Sequence, residues 1–234
     1  MRLRGPCSRL DSVADMNVSD ALKKRTSIRQ FTPEPVSDDL LRDMLETAAW
    51  SPSGGNVQPW RIYVVNGESM SKLREFLKTQ PPLEEPEYDM YPAGLTEPYR
   101  TNRFAIGEQM YGTMGIARED KDARRKWFGN NNDFFGAPAA IFCFLDRQMG
   151  EPQWSDCGMF LQSFMLLAVE NGLSTCPQEY WSLRHKAIGT FVGAPESEML
   201  FCGVAVGHAD WDHPVNGLRS ERMPFDMWGR FVGS

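Results

Sequence analysis

Residues 51–65 read SPSGGNVQPWRIYVV, and this stretch decides the fold. Its last five residues, 61–65 (RIYVV), are mostly aromatic and β-branched, which predicts a strand. The ten residues before them form a loop. Gly54 and Gly55 let the backbone approach a flat ligand closely. Ser53 and Asn56 can hydrogen-bond heteroatoms, and Gln58 can fix the loop. A plain helix-to-strand turn is the alternative, although this loop is longer than such a turn needs. Upstream, Ser37 predicts the cap of a helix reaching about Trp50, with Leu40, Leu41, Met44, Leu45, Ala48 and Ala49 at helical spacing. Further upstream, 19–24 predict a short helix capped by Ser19, and 25–31 (RTSIRQF) read as extended. On an extended segment Arg25, Ser27 and Arg29 share one face. Two guanidinium forks and a hydroxyl suit a phosphate; a solvated basic turn is the plainer reading of that segment alone.

Downstream, the spacing predicts a helix over 69–78. Residues 80–98 hold five prolines, five acids and no Lys or Arg, which predicts a lid or binding loop over 80–100 within one domain. Helices are predicted over 100–118 and 119–130, and a strand over 138–145. The most apolar helix, 155–171, carries apolar groups on nearly every face, so it should be central and surrounded, with Gly172 as its C-cap. A strand-like segment over 173–180, a helix over 182–191 and a strand over 199–206 complete the core. The backbone of 172–180 could face a buried ligand, or the segment could be a plain edge strand starting at Pro177. The tail, 209–234, holds Trp211, Phe225, Met227, Trp228, Phe231 and Val232. These must lie on the chain's own core or on a partner. Arg219 and Arg222 lie three apart in this tail and, taken alone, read as charged surface.

Composition narrows the class. With 234 residues, 41% apolar and 24% charged, the chain can bury roughly three-quarters of its unfolded surface. A net charge of −6 argues against a dedicated nucleic-acid binder. No apolar run is long enough to span a membrane. The five cysteines, with no CxxC pair, read as free buried thiols in a reducing, cytoplasmic compartment. The three histidines show no metal spacing, and no GxSxG turn occurs. Residues 1–18 lack the apolar core of a secretory signal and read as a flexible leader, followed by a single domain over 19–234.

Five motifs stand in order: RTSIRQF, SPSGGNVQPWRIYVV, CPQEY, FCGVAVGH and RSERMPF. With them the chain resembles the FMN-dependent nitroreductase superfamily over roughly residues 20–230. The stretches GEQMYG, WFGNNNDFFGAP and CPQEYW look most like its para-nitrobenzoate-reductase-like branch.

The resemblance implies an α+β, three-layer fold with a mostly antiparallel central sheet flanked by helices. It also implies an intertwined homodimer with exchanged C-terminal arms (209–234) and FMN at the subunit interface. Arg25, Thr26, Ser27 and Arg29 match the first flavin-binding motif; Thr26 stands where many relatives carry histidine. Arg222 matches the late basic residue at the phosphate, with Arg219 beside it. Pro52, Ser53, Gly54 and Asn56 match the loop that a second subunit lays near the flavin. Pro177, Gln178 and Glu179 match the stretch whose backbone lies beside flavin N5, with the Glu179 amide as donor. The implied reaction is ping-pong: NADH or NADPH reduces FMN, and a small nitroaromatic or quinone-like acceptor takes two electrons. No side chain is needed as a catalytic acid or base. Phe104, Arg103, Trp127, Phe134 and Phe135 are the substrate-face residues expected, with Arg100 and Arg103 available to a substrate carboxylate. Iodotyrosine deiodinases are similar at the flavin motifs but grip their substrate with a lid lysine, and none occurs here between Lys78 and Lys121. Flavin-fragmenting enzymes of the same fold and a redox carrier without a dedicated substrate are the other readings.

Overall fold

The structure, a computed structural model, describes residues 16–233. Strands β1 (Arg61–Asn66), β2 (Ala139–Asp146), β3 (Ser174–Gln178) and β4 (Glu198–Gly207) form one sheet in the order β1-β2-β4-β3. Every neighbouring pair is antiparallel. The apolar strands β2 and β4 take the centre because nearly all their residues are buried, as strands covered on both faces require.

Side chains along β2 alternate between two cores. Ala140, Phe142 and Phe144 join Phe31, Leu73 and Trp181 on one face, closed by α3 (Glu68–Lys78) and α7 (His185–Val192). Ala139, Ile141, Cys143 and Leu145 join Leu41, Met44 and Phe160 on the other, closed by α2 (Asp38–Ala48) and α6 (Glu151–Glu170). Helix, sheet and helix make the three layers expected. Two glycines of FCGVAVGH permit this packing. A Cβ on Gly203 would meet Trp181 Cδ1 at 2.4 Å, and one on Gly207 would meet Pro138 Cδ at 2.6 Å.

Several local expectations are corrected. The first helix, α1 (Val18–Lys24), is capped by Asn17, whose side chain accepts from the Asp20 amide; Ser19 lies inside it. Ser37 caps α2 as expected, accepting from Leu40. The region 100–130 does not hold two abutting helices. α4 (Tyr99–Thr113) stops before Gly115, which turns the chain at φ +66°, and α5 (Lys121–Phe128) restarts with Asp120 capping Ala123. A 3-10 turn, Gly129–Gly136, then leads into β2, and another, Glu179–Arg184, precedes α7. α6 is not surrounded within one chain. Cys157, Phe160, Leu161, Phe164, Met165 and Ala168 are buried along one face, while Met159 is 39% exposed. Its C-cap is Asn171, and Gly172 follows with φ +74°.

The segment 80–98 holds no helix or strand, yet it is tied down. Glu84 and Glu87 amides donate to the Leu183 and Ser182 carbonyls. Glu87 accepts both Arg147 nitrogens (2.5 and 3.1 Å) and His185 Nδ1 (2.5 Å), and Tyr88 donates to the Phe201 carbonyl. Cys143, Cys157, Cys176 and Cys202 are free and buried; Cys7 and most of the leader over 1–18 lie outside the described residues.

Candidate active site

The 25–32 segment runs along the open side of β3. Ser27 bridges Thr175 in parallel fashion, and the Ile28 amide donates to the Thr175 carbonyl at 3.0 Å. The same segment is held on its other side by the turn after β4. Buried Asn216 accepts from the Arg29 amide (2.8 Å) and donates to the Gln30 and Asp210 carbonyls (2.7 Å each). Thr26 Oγ1 reaches the Leu218 carbonyl at 3.4 Å, so this side chain is spent on the chain itself. Asn216 was not identified from the sequence; an Asn before Gly217 reads as an ordinary turn residue.

This arrangement gathers cations. Burial and then the neighbouring Arg222 guanidinium hold Arg25 below its ordinary value. Burial pushes the Cys176 thiol up to about 11, against the opposing pull of Arg29 and Arg25. Arg25 and Arg29 therefore lie near Cys176, the middle residue of β3, and Arg222 lies beside Arg25. Among the described residues none of the three pairs with a carboxylate. Three neighbouring guanidinium groups repel one another, and a polyanion is what relieves that repulsion. The residues present therefore fit a phosphate-bearing group. Arg219 stands slightly apart, donating to the Lys24 carbonyl with its guanidinium 6.0 Å from the Trp211 ring.

The C-terminal end of β3 is built differently. The Gln178 side chain is buried and fully used. It donates to the Asn131 carbonyl and Oδ1 (3.1 Å each) and accepts from Trp181 Nε1 (3.2 Å). Its backbone alone is left to meet a ligand. Glu179 opens the 3-10 turn, so its amide is one that such a turn leaves without an internal acceptor. Burial raises the Glu179 carboxyl above the usual carboxylate range. Tyr180 packs edge-on to Phe128 at 5.4 Å, which puts an exposed aromatic beside this strand end. Trp127, expected on the substrate face, stacks on His213 at 5.8 Å.

The other substrate-face expectations divide. Phe104 and Arg103 line a cavity of about 580 Å³ on α4 together with Arg100 and Glu108. There Arg103 lies 3.8 Å from the Tyr91 ring centre, Arg118 lies over Phe104, and Arg100 pairs with Glu97. Asn102 Nδ2 lies 3.3 Å from Met223 Sδ, joining this helix to the arginine-bearing tail. Phe134 and Phe135 are corrected: both are core residues, 0% and 5% exposed. Phe134 stacks on Trp181 at 4.4 Å, and the Phe135 carbonyl accepts from the Phe31 amide. Both adopt positive φ (54° and 55°), a strained turn held by that packing.

One predicted group stays apart. The 52–56 loop is tied to α6 by the Gly54 amide, which donates to buried Asp156 at 3.2 Å, and to itself by Ser53 Oγ, which accepts from Gln58. Among the described residues no hydrogen bond joins it to the arginine cluster or to β3.

The model of the nitroreductase family matches residues 22–208, most of the chain. The protein belongs to the nitroreductase family. It is 33% identical to the nitrobenzene nitroreductase of Ectopseudomonas oleovorans, over 92% of this chain and 96% of that one. It is 35% identical to the 4-nitrobenzoate reductase of Pseudomonas putida, over 89% and 92%. Among solved structures it resembles the FMN and NADPH-dependent nitroreductase NfnB from sphigopyxis sp. strain HMH. The TM-score is 0.89 and the identity 42%, covering 94% of this chain and all of that one. No helix among the described residues is long and apolar enough to cross a membrane. They also hold no group of three or more His, Cys, Asp or Glu placed for a metal.

Proposed function

We propose that this nitroreductase-family protein is a cytoplasmic homodimer that binds FMN and uses NADH or NADPH to reduce small nitroaromatic or quinone-like compounds. The observation that carries the reading is the carboxylate-free cluster of Arg25, Arg29 and Arg222 beside β3. Bound FMN supplies the two-electron relay between a reduced nicotinamide and the acceptor. The chain's own residues bind and orient. Arg25, Arg29 and Arg222 neutralise the phosphate, with Arg219 adding charge nearby, and the Ser27 hydroxyl supplies a further contact. Pro177, Gln178 and Glu179 offer backbone along the ring edge, and the Glu179 amide is the free donor. The Asn131–Gln178–Trp181 network holds that backbone still.

The rest of the site comes from a second copy. Pro52, Ser53, Gly54 and Asn56 do not meet the cluster within one chain. The exposed Trp50, the half-covered α6 and the apolar tail are the surfaces a second copy would cover. Arg103 and Phe104, across the α4 cavity, are placed to select the acceptor, and Arg103 suits a carboxylated nitroarene.

The test is an anaerobic absorption experiment on the purified protein. The expected result is a yellow protein that NADPH or NADH bleaches and a nitroarene restores. A protein that stays colourless after FMN is added overturns the reading. If Arg103→Ala leaves the KM for 4-nitrobenzoate unchanged, the carboxylate role of that residue falls.

A further inference from the structure

A second cation site lies away from the arginine cluster, where α3 meets the Gly129–Gly136 turn and the turn ending at Arg184. A cavity of about 480 Å³ opens there, lined by Arg74, Lys78, Gln80, Asn132, Asp133 and Arg184 among others. Arg184 is only 3% exposed. Its Nη1 donates to Asn132 Oδ1 at 2.6 Å, its Nη2 donates to the Leu77 carbonyl at 2.8 Å, and its Nε has no acceptor.

The charge is not balanced by these contacts. Leu77 lies in the last turn of α3, where the helix end carries about half an elementary negative charge. Asn132 is neutral. Among the described residues no carboxylate lies within ion-pair distance of Arg184; Asp133 at the rim pairs with Arg74 (2.6 Å) and Glu75 with Lys78 (2.6 Å). A buried guanidinium normally has an anionic partner, since an unpaired charge in the interior is costly.

We propose that this cavity binds a small oxyanion, a carboxylate- or phosphate-bearing molecule, which neutralises Arg184 and meets Arg74, Lys78 and Gln80 at the rim. Guanidinium, ammonium and amide donors converging on one opening suit such a group. Its anchor Asn132 adjoins Asn131, which holds Gln178 at the end of β3. An occupant would therefore stiffen the turn that begins at Glu179. The proposal rests on the charges of this corner and stands apart from the flavin reading.

The test is a titration of FMN-saturated protein with inorganic phosphate and, separately, with malonate, followed by calorimetry at constant ionic strength. Saturable binding in about the millimolar range or tighter is expected for one of the two. The rim variant Arg74→Gln/Lys78→Ala should weaken it about tenfold or more, since both changes are made at the cavity mouth. Saturation by phosphate alone assigns a phosphate-bearing ligand, and saturation by malonate alone a carboxylate. No saturation by either anion, or equal binding in the rim variant, would overturn the site. Equal binding in the rim variant would assign the anion elsewhere on the protein. If the protein takes up no FMN, only the flavin reading fails, and the rim variant still decides this site.

Discussion

The segment 25–32, which carries Arg25 and Arg29, and the tail 225–233, which follows Arg222, are both largely irregular chain, but they are finished to different degrees. The first is closed on every side. Thr175, Phe135, His208 and Asn216 take up its backbone groups, and Ile28 and Phe31 are buried. The tail packs only on itself. Phe225 contacts Trp228 at 4.9 Å and Phe231 at 5.5 Å, while Phe231 and Val232 are 80% and 89% exposed. This is the apolar surface that the proposed homodimer would cover. Arg25, Arg29 and Arg222 gather within one chain, whereas the tail beyond them leaves its apolar side chains uncovered.

That contrast can be broken by mutation. The largest effect is expected from Arg25→Ala combined with Arg29→Ala. Each charge-assisted contact contributes about 1.5–3 kcal/mol, so FMN affinity should fall by about 100-fold or more. Fluorescence titration of the apoprotein with FMN checks this, and near-normal affinity would move the phosphate elsewhere. Deleting 225–234 should turn the dimer into a monomer, as light scattering would show, while leaving the fold intact. A deletion that stays dimeric would place the contact on α6 and Trp50 alone.

Stability effects come next. Gly203→Ala drives a methyl into Trp181 and should cost about 3 kcal/mol or more. Asn216→Ala leaves the Arg29 amide and the Asp210 carbonyl without their partner, while the Gln30 carbonyl keeps the Asp210 amide, and should cost about 2 kcal/mol. Denaturant unfolding of both variants measures these. A neutral Asn216→Ala would show that the 25–32 segment is held by its edge pairing alone.

The smallest effect is a pH dependence at Glu179. Its carboxyl is raised in the folded protein by burial, so folding favours the protonated form. The stability this gives is present below the carboxylate range of the unfolded chain and is lost as pH rises through the folded value. Glu179→Gln should therefore gain stability relative to the parent as pH rises from acid to neutral. A difference that is flat with pH would mean the carboxylate is solvated.

Much of this was legible in the sequence. β2 and β4 announced themselves as apolar runs, α2 by its period and by Ser37, and the extended course of the segment carrying Arg25 and Arg29 by its alternation. Asn17 displaced Ser19 because a cap is chosen by which side chain meets a free amide, and both types qualify. Phe134 and Phe135 illustrate the limit better. Aromatics in a glycine- and asparagine-rich turn look like ligand contacts, yet here both are in the core, with Phe134 stacked on the Trp181 that lies over Gly203. Arg184 gave no signal at all, since a buried arginine and a surface one are the same letter.

Local chemistry is fixed by residues near in sequence, and for this protein it determined the helices, the strands and the arginine face. Which groups pair across 186 residues, as Asn216 does with Gln30, was decided only when the sheet brought β3 and β4 together. The same holds for charge. The sequence supplied cations and acids in ordinary proportion, and the tertiary structure alone decided which cations were left without a carboxylate. Coulomb energy depends on distance and burial, and neither is written in the order of the chain.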